Sequence, residues 1–170
     1  MSSLPADSPS TREHAVHLRL AQPWRGSVAG AASRLLGDDG GWLGRPVATP
    51  PGGAWRRYEA DIELPVREQA PHMVLRKAAL VDLGSSVGDE SGLSIEVSWR
   101  SATLAPLFPV FVGRLEVTTT DLVLEGFYAP PGGEVGVILD RALLNIAARG
   151  TARWFLARVA ATLGGSGSDA

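Results

Sequence analysis

The feature that most constrains the fold is the last third of the chain, where a strand pattern is followed by a long helical pattern. Apolar and polar side chains alternate from Asp121 to Tyr128, as they do in a half-buried strand. The segment from Ala129 to Gly133 contains two prolines, which lack N–H donors, and two glycines, which accept positive φ, so it ends the strand. From Glu134 to Leu163 the apolar period becomes helical, which predicts a helix of roughly 29 residues and about 43 Å. We expect a helix of this length to lie across a whole sheet.

The apolar stripe of this helix should face that sheet, because its residues recur every three or four positions. The stripe comprises Leu139, Leu143, Ile146, Gly150, Trp154, Ala157 and Ala161, and is widened by Ile138, Phe155, Val159 and Leu163.

The rest of the chain is predicted to be mostly β. A short helix is expected between Pro23, placed in its first turn, and Leu36, and a polar loop is expected from Gly84 to Gly92. Strands joined by short links favour an antiparallel meander, and alternation leaves one face of the sheet for the long helix to cover. The six strands predicted before the last one are His14 to Leu20, Gly44 to Thr49, Trp55 to Leu64, His72 to Asp82, Leu93 to Ala102 and Val110 to Thr119.

Composition bounds the class of protein. With 170 residues and 45% hydrophobic content, the chain can bury a core and is read as one domain over 14–163, with a disordered leader at 1–13 and a flexible tail at 164–170. A net charge of −2 supplies no basic field for nucleic acid, and no apolar run reaches the length needed for stable membrane insertion. The absence of cysteine excludes disulfides and cysteine nucleophiles and fits a cytoplasmic protein.

The order of elements and several short motifs resemble one superfamily. These motifs are Trp99, Leu107-Phe108-Pro109, Leu122-x-Leu124-x-Gly126-x-Tyr128-x-Pro130-Pro131-x-Gly133-x-x-Gly136, and Asp140-Arg141. They are similar to the bacterial branch of the START-like (SRPBCC) proteins, which include plant pathogenesis-related allergens and polyketide cyclases. The resemblance implies the helix-grip fold, an α+β arrangement in which a curved seven-stranded antiparallel sheet wraps around a long C-terminal helix. It also implies a cavity between sheet and helix for apolar ligands.

Large apolar side chains on the inner face would line such a cavity, although the same residues could equally pack a solid core. Three glycines, Gly113, Gly126 and Gly150, lie within predicted strands or the helix, where they cost stability unless space or close approach is needed. The candidate lining comprises Trp99, Phe111, Leu115, Leu122, Leu124, Tyr128, Leu143 and Trp154.

Two adjacent cations, Arg76 and Lys77, complete the candidate binding site. Neighbouring residues on a regular strand point to opposite faces, so one of the two should point to the concave side. An inward cation could hold a ligand carboxylate or phosphate, whereas burying it unpaired would cost several kcal/mol. The sequence leaves open which of the two points inward.

No catalytic or metal motif is evident. The three histidines do not share a face at ligand spacing, and no nucleophile elbow or phosphate loop is present, so no cofactor is expected. The first hypothesis is therefore a cytoplasmic carrier, monomeric or homodimeric, for a lipid-like or polyketide-like molecule. The alternatives are a polyketide cyclase or aromatase, in which Tyr128, Arg76 or Lys77 would assist enolisation, and a module with a partner-binding groove.

Overall fold

The computed structural model describes residues 15–37, 41–49, 55–65, 74–103, 110–129 and 141–164, with only the backbone described at 63–65, 74, 75 and 141–144. Over these ranges, the strands form one antiparallel sheet in the order β1-β7-β6-β5-β4-β3-β2. A curved seven-stranded antiparallel sheet with a C-terminal helix and one other helix confirms the predicted α+β fold. The elements are β1 (Val16–Pro23), α1 (Val28–Leu36), β2 (Arg45–Val47), β3 (Arg56–Pro65), β4 (Val74–Gly88), β5 (Leu93–Ser101), β6 (Val110–Val117), β7 (Asp121–Ala129) and α2 (Arg141–Gly164).

The short helix α1 begins later than the sequence predicts. Pro23 is the last residue of β1, where an edge strand tolerates the missing N–H, and the helix starts only after Ser27. The Ser27 hydroxyl caps α1 by accepting a hydrogen bond from the backbone N–H of Gly30 at 3.1 Å. The Arg34 guanidinium donates to the carbonyl of Leu163 at the end of α2. This contact fixes α1 and the C-terminal end of α2 at the same end of the sheet.

Strand β4 is longer than predicted and includes part of the expected loop. It continues through Gly88 because a register shift between Leu83 and Ser86 lets the polar segment keep pairing with β5. The chain turns only between Asp89 and Gly92, where the backbone N–H of Asp89 donates to the carbonyl of Gly92 at 2.9 Å. The prediction of a loop from Gly84 to Gly92 was therefore wrong for its first five residues.

The rotation of α2 also differs from the predicted stripe. Ile146 is 60% exposed, and Ala157 and Ala161 are exposed as well, whereas Gly150 and Trp154 are half-buried. Apolar residues occur all around this helix, so its period alone did not determine the face that packs on the sheet. The buried residues of α2 are Ala148, Thr151, Ala152, Phe155, Leu156, Val159 and Leu163.

Parts of the predicted helix and both predicted termini lie outside the described residues. These parts are residues 134–140, the leader at 1–13, the tail at 165–170 and the side chain of Leu143. The 24 described residues of α2 span about 36 Å at about 1.5 Å per residue. Within the described ranges, no helix is both long and apolar enough to cross a membrane.

Candidate functional site

Strand pairing aligns one inward residue from each strand in a single row across the sheet. Four of the seven are aromatic, and these four, Tyr58, Trp99, Phe111 and Tyr128, are each at least 96% buried. We call these four residues the aromatic row. From one edge to the other, the complete row is Pro46, Tyr58, Val81, Trp99, Phe111, Tyr128 and Val16.

Trp99 is the middle residue of the complete row of seven. Its indole stacks on Phe111 with ring centroids 4.1 Å apart and planes inclined by 16°. Phe155 of α2 lies against it at 5.6 Å, and the same phenyl ring contacts Trp42 at 6.1 Å. These ring contacts fix the rotation of α2 and bring the predicted residues Trp99 and Phe111 together beneath the helix.

Two glycines create the space in which Phe111 lies. A Cβ atom at Gly113 would be 2.7 Å from Cζ of Phe111, and one at Gly126 would be 2.8 Å from the same atom. The same Cβ atoms would also approach backbone carbonyl oxygens to 2.2 and 2.4 Å. Of the reasons that the sequence leaves open for these two glycines, the structure shows close approach of the facing backbone and of the Phe111 ring, which lies nearly parallel to Trp99.

The inner face changes character on either side of the aromatic row. Toward α1, the predicted lining residues Leu115, Leu122 and Leu124 are fully buried in the core. Away from α1, the inner positions carry the small side chains of Ala60 and Ala79, both fully buried. The predicted lining residues on the sheet thus fall into two groups, of which only Trp99, Phe111 and Tyr128 border the end away from α1. We call this end of the sheet the far end.

Lys77, and not Arg76, shares the inner face. It is in phase with the buried Ala79 and directly opposite the buried Ile62 of β3, and it is itself half-buried. Arg76 is exposed on the other face, so of the two predicted cations only Lys77 is positioned beside the far end. Ligand binding by any of these residues stays a prediction.

Two of the described charged residues have a displaced pKa: Arg57 on the outer face and Asp89 in the turn after β4. Arg57 donates two hydrogen bonds to Asp82, at 2.6 and 2.9 Å, and this pairing raises the pKa of the guanidinium. In the turn after β4, the pKa of Asp89 is lowered because its carboxylate accepts hydrogen bonds from Ser91 and Gly92. The Arg57–Asp82 pair is one register position from Tyr58 and Val81 but lies on the opposite face of the sheet, and Asp89 lies in the turn beyond β4. Among the described residues, no histidine and carboxylate cluster could hold a metal ion.

A groove of about 330 Å³ lies on this outer face. It is lined by Ser85, Val87, Ser94, Glu96, Gly113 and Arg114. Because four of its six lining residues are polar or charged and it lies on the outer face, the groove differs from the apolar cavity that the sequence predicts between sheet and helix.

Sequence reasoning missed Tyr58 and Phe155 as site residues. The alternation of Tyr58 with polar neighbours predicts that it points to the apolar face. Only the register of β3 with β4 and of β4 with β5 aligns it with Trp99. Phe155 was assigned to the margin of the helical stripe, whereas in the fold it is fully buried against Trp99. No local sequence signal identifies either relationship, since both depend on pairing between distant segments.

Comparison with known proteins identifies the fold. No protein-family model and no curated protein matches the sequence. Among solved structures, the chain is similar to a conserved protein from Geobacillus kaustophilus, at 16% identity and a TM-score of 0.51, over 89% of this chain and 97% of that one. It is also similar to the di-domain ARO/CYC StfQ from the steffimycin biosynthetic pathway, at 13% identity and a TM-score of 0.53, over 91% of this chain. The chain spans about half of StfQ, 52% of its length. At these identities the similarity concerns architecture alone, and it assigns the chain a helix-grip type of fold.

Proposed function

We propose that this protein binds a small hydrophobic or amphipathic molecule between the sheet and α2, at the far end beside the aromatic row. The observation that carries the proposal is the aromatic row itself, four aligned rings on the face that α2 covers. Sites for apolar molecules are typically lined by aromatic side chains with a few polar groups. We place the protein in the cytoplasm, in keeping with its lack of cysteine. We expect it to act as a monomer or homodimer.

Lys77 supports an amphipathic ligand over a purely apolar one. It lies on the inner face, four residues along β4 from Val81, which pairs with Trp99. At about 3.4 Å per residue, these positions are about 14 Å apart along the strand. A ligand of that length would place its apolar body on the rings and an anionic group beside the Lys77 ammonium.

The probe 1-anilinonaphthalene-8-sulfonate tests this proposal, because it joins an aromatic body to a sulfonate. We expect one molecule to bind to the folded protein with blue-shifted emission, and we expect Phe111→Leu to weaken that binding. Val112→Ala is the matched control, because Val112 is the next residue, points to the outer face and is 59% exposed. Absence of binding to a cooperatively folded protein, together with no small molecule in native mass spectra, would refute the proposal.

A second candidate is a polyketide cyclase or aromatase that uses the same site. The observation that favours it is the similarity in fold to StfQ, an ARO/CYC. Tyr128 on the inner face would assist enolisation before aldol closure with loss of water, and Lys77, on the same face but three strands away, would hold an anionic end of the chain. Incubation with a linear poly-β-keto thioester should then yield an aromatic product, detected by absorbance and mass. The product should be absent with Tyr128→Phe, and equal yields from both proteins would exclude the assigned role.

A further inference from the structure

In the part of the chain that the structure describes, the indole N–H of Trp99 is a buried donor without an acceptor. Trp99 is 98% buried, and among the described residues its Nε1 atom has no hydrogen-bond partner. A buried polar group left in this state costs free energy, and native proteins rarely leave one unpaired. An acceptor that is not part of the described chain would remove this cost.

Two other tryptophans have indole N–H groups that are paired. The indole of Trp24 donates to the carbonyl of Thr118 at 2.7 Å, and that of Trp42 donates to the carbonyl of Leu35 at 3.3 Å. Both are only partly buried, yet both are paired. Among the described residues, Trp99 therefore has a fully buried indole N–H that is unpaired, and it lies within the candidate site.

The two phenyl rings that contact Trp99 do not supply the missing acceptor. Phe111 is nearly parallel to the indole, so the in-plane N–H cannot point at its face. Phe155 is inclined by only 37°, far from the perpendicular geometry that an N–H to ring contact requires. A buried water needs two to four polar partners, and neither phenyl ring offers one.

The acceptor should also be uncharged. The row to which Trp99 belongs contains Pro46, Tyr58, Val81, Phe111, Tyr128 and Val16 and therefore carries no charged side chain. A carboxylate at this position would be buried without a counter-charge, which is far more costly than burying a carbonyl.

Resting on the proposed function, we infer that the ligand carries a neutral oxygen acceptor, such as a ketone, which receives a hydrogen bond from Nε1 of Trp99. The ligand class is thus an oxygenated ring or chain, and a plain hydrocarbon or saturated acyl chain is disfavoured. Trp99 acts as a specificity-determining residue, because an N–H that remains unpaired penalises a ligand without the oxygen.

A matched pair of probes tests this inference. 2-Acetylnaphthalene and 2-isopropylnaphthalene have nearly the same shape, but only the first has an acceptor oxygen. Their dissociation constants, measured by titration, give an affinity ratio in which packing contributions largely cancel. We expect Trp99→Phe to shift this ratio against the ketone by about tenfold, equivalent to about 1.4 kcal/mol. Trp42→Phe should leave the ratio unchanged, because Trp42 contacts the same Phe155 ring but its N–H is already paired.

A measurement on the unsubstituted protein complements the variants. In proton–nitrogen correlation spectra, the indole resonance of Trp99 should move downfield with the ketone and not with the hydrocarbon. If 1-anilinonaphthalene-8-sulfonate binds but neither naphthalene does, this inference fails and the proposed function stands. If none of the three probes binds and native mass spectra show no small molecule, the proposed function fails, and this inference fails with it. The inference alone is wrong under three joint conditions: both naphthalenes bind, their affinity ratio is the same in all three proteins, and the indole resonance responds equally to both probes.

Discussion

Gly113 lies directly opposite Gly126 in the pairing of β6 with β7, and the ring of Phe111 lies close to both. Because neither glycine has a side chain, there is open space at this point on the inner face of the sheet. Phe111 occupies that space and stacks on Trp99. The position of the aromatic row therefore depends on two residues that contribute no side chain to it.

Gly113→Ala and Gly126→Ala should each destabilise the protein. The added methyl group would meet both the Phe111 ring and a backbone carbonyl at less than 3 Å, so strand and ring must shift. Overpacking of this kind costs about 1–3 kcal/mol, measurable by chemical denaturation. Gly164→Ala is the control, because nothing lies within 4 Å of its added Cβ. Equal stability of all three variants and the parent protein would contradict this steric role.

Lys77→Met should weaken the binding of 1-anilinonaphthalene-8-sulfonate and spare that of its neutral analogue 1-anilinonaphthalene. The substitution keeps an unbranched apolar side chain on the inner face but removes the charge that would pair with the sulfonate. We expect a loss of about fivefold, less than a fully buried ionic hydrogen bond would contribute, because Lys77 is only half-buried. Arg76→Gln serves as the control, since Arg76 lies on the outer face. An equal loss of both ligands would show that Lys77 acts through packing.

Asp82→Asn should destabilise the fold more than Arg45→Met. The side chains of Arg57 and Asp82 are 23% and 11% exposed, whereas Arg45, paired with Glu59, is 75% exposed. Removing the buried charge should cost about 1–3 kcal/mol, and removing the exposed one less than about 1 kcal/mol, in denaturant titrations.

The pH dependence of this pair follows from Arg57. The pKa of Arg57 is raised in the folded protein by its hydrogen bonds to Asp82. The stability that this pairing contributes is therefore fully present at any pH below the pKa of arginine in the unfolded chain, and it is lost only as the pH rises through the pKa of Arg57 in the folded protein. The Arg57 contribution should therefore be constant across the neutral range. A contribution that falls between neutral and mildly alkaline pH would contradict this assignment.

Asp89→Ala should reduce stability at neutral pH and make little difference in acid. The pKa of Asp89 is lowered in the fold by hydrogen bonds from Ser91 and Gly92. Its contribution is therefore present above the unfolded value of about 4 and is lost as pH falls through the lower folded value. Stability measured against pH for parent and variant should converge in that acidic window. Asp89→Asn, which keeps an acceptor oxygen, should fall between them, and a parallel offset at every pH would contradict the assignment.

Much of the architecture could be predicted because it is local. Alternation from Tyr58 to Leu64 and from Leu93 to Trp99 requires strands with one apolar face, and the turn residues between strands indicate a meander. The long helical period after Gly133 then identifies the element that covers that face. These inferences use only neighbours along the chain, and the observed sheet and C-terminal helix confirm them.

What the sequence determined by itself was therefore the kind and order of the elements. Tertiary structure alone decided which residues meet. The apolar run from Ala78 to Val81 hides the phase of β4, so only pairing with Ile62 places Lys77 on the inner face. Likewise, only cross-strand register aligns Tyr58 with Trp99, and only packing of Phe155 fixes the rotation of α2. The physical reason is that periodicity encodes the face of one element, whereas a site arises from contacts between elements distant in sequence.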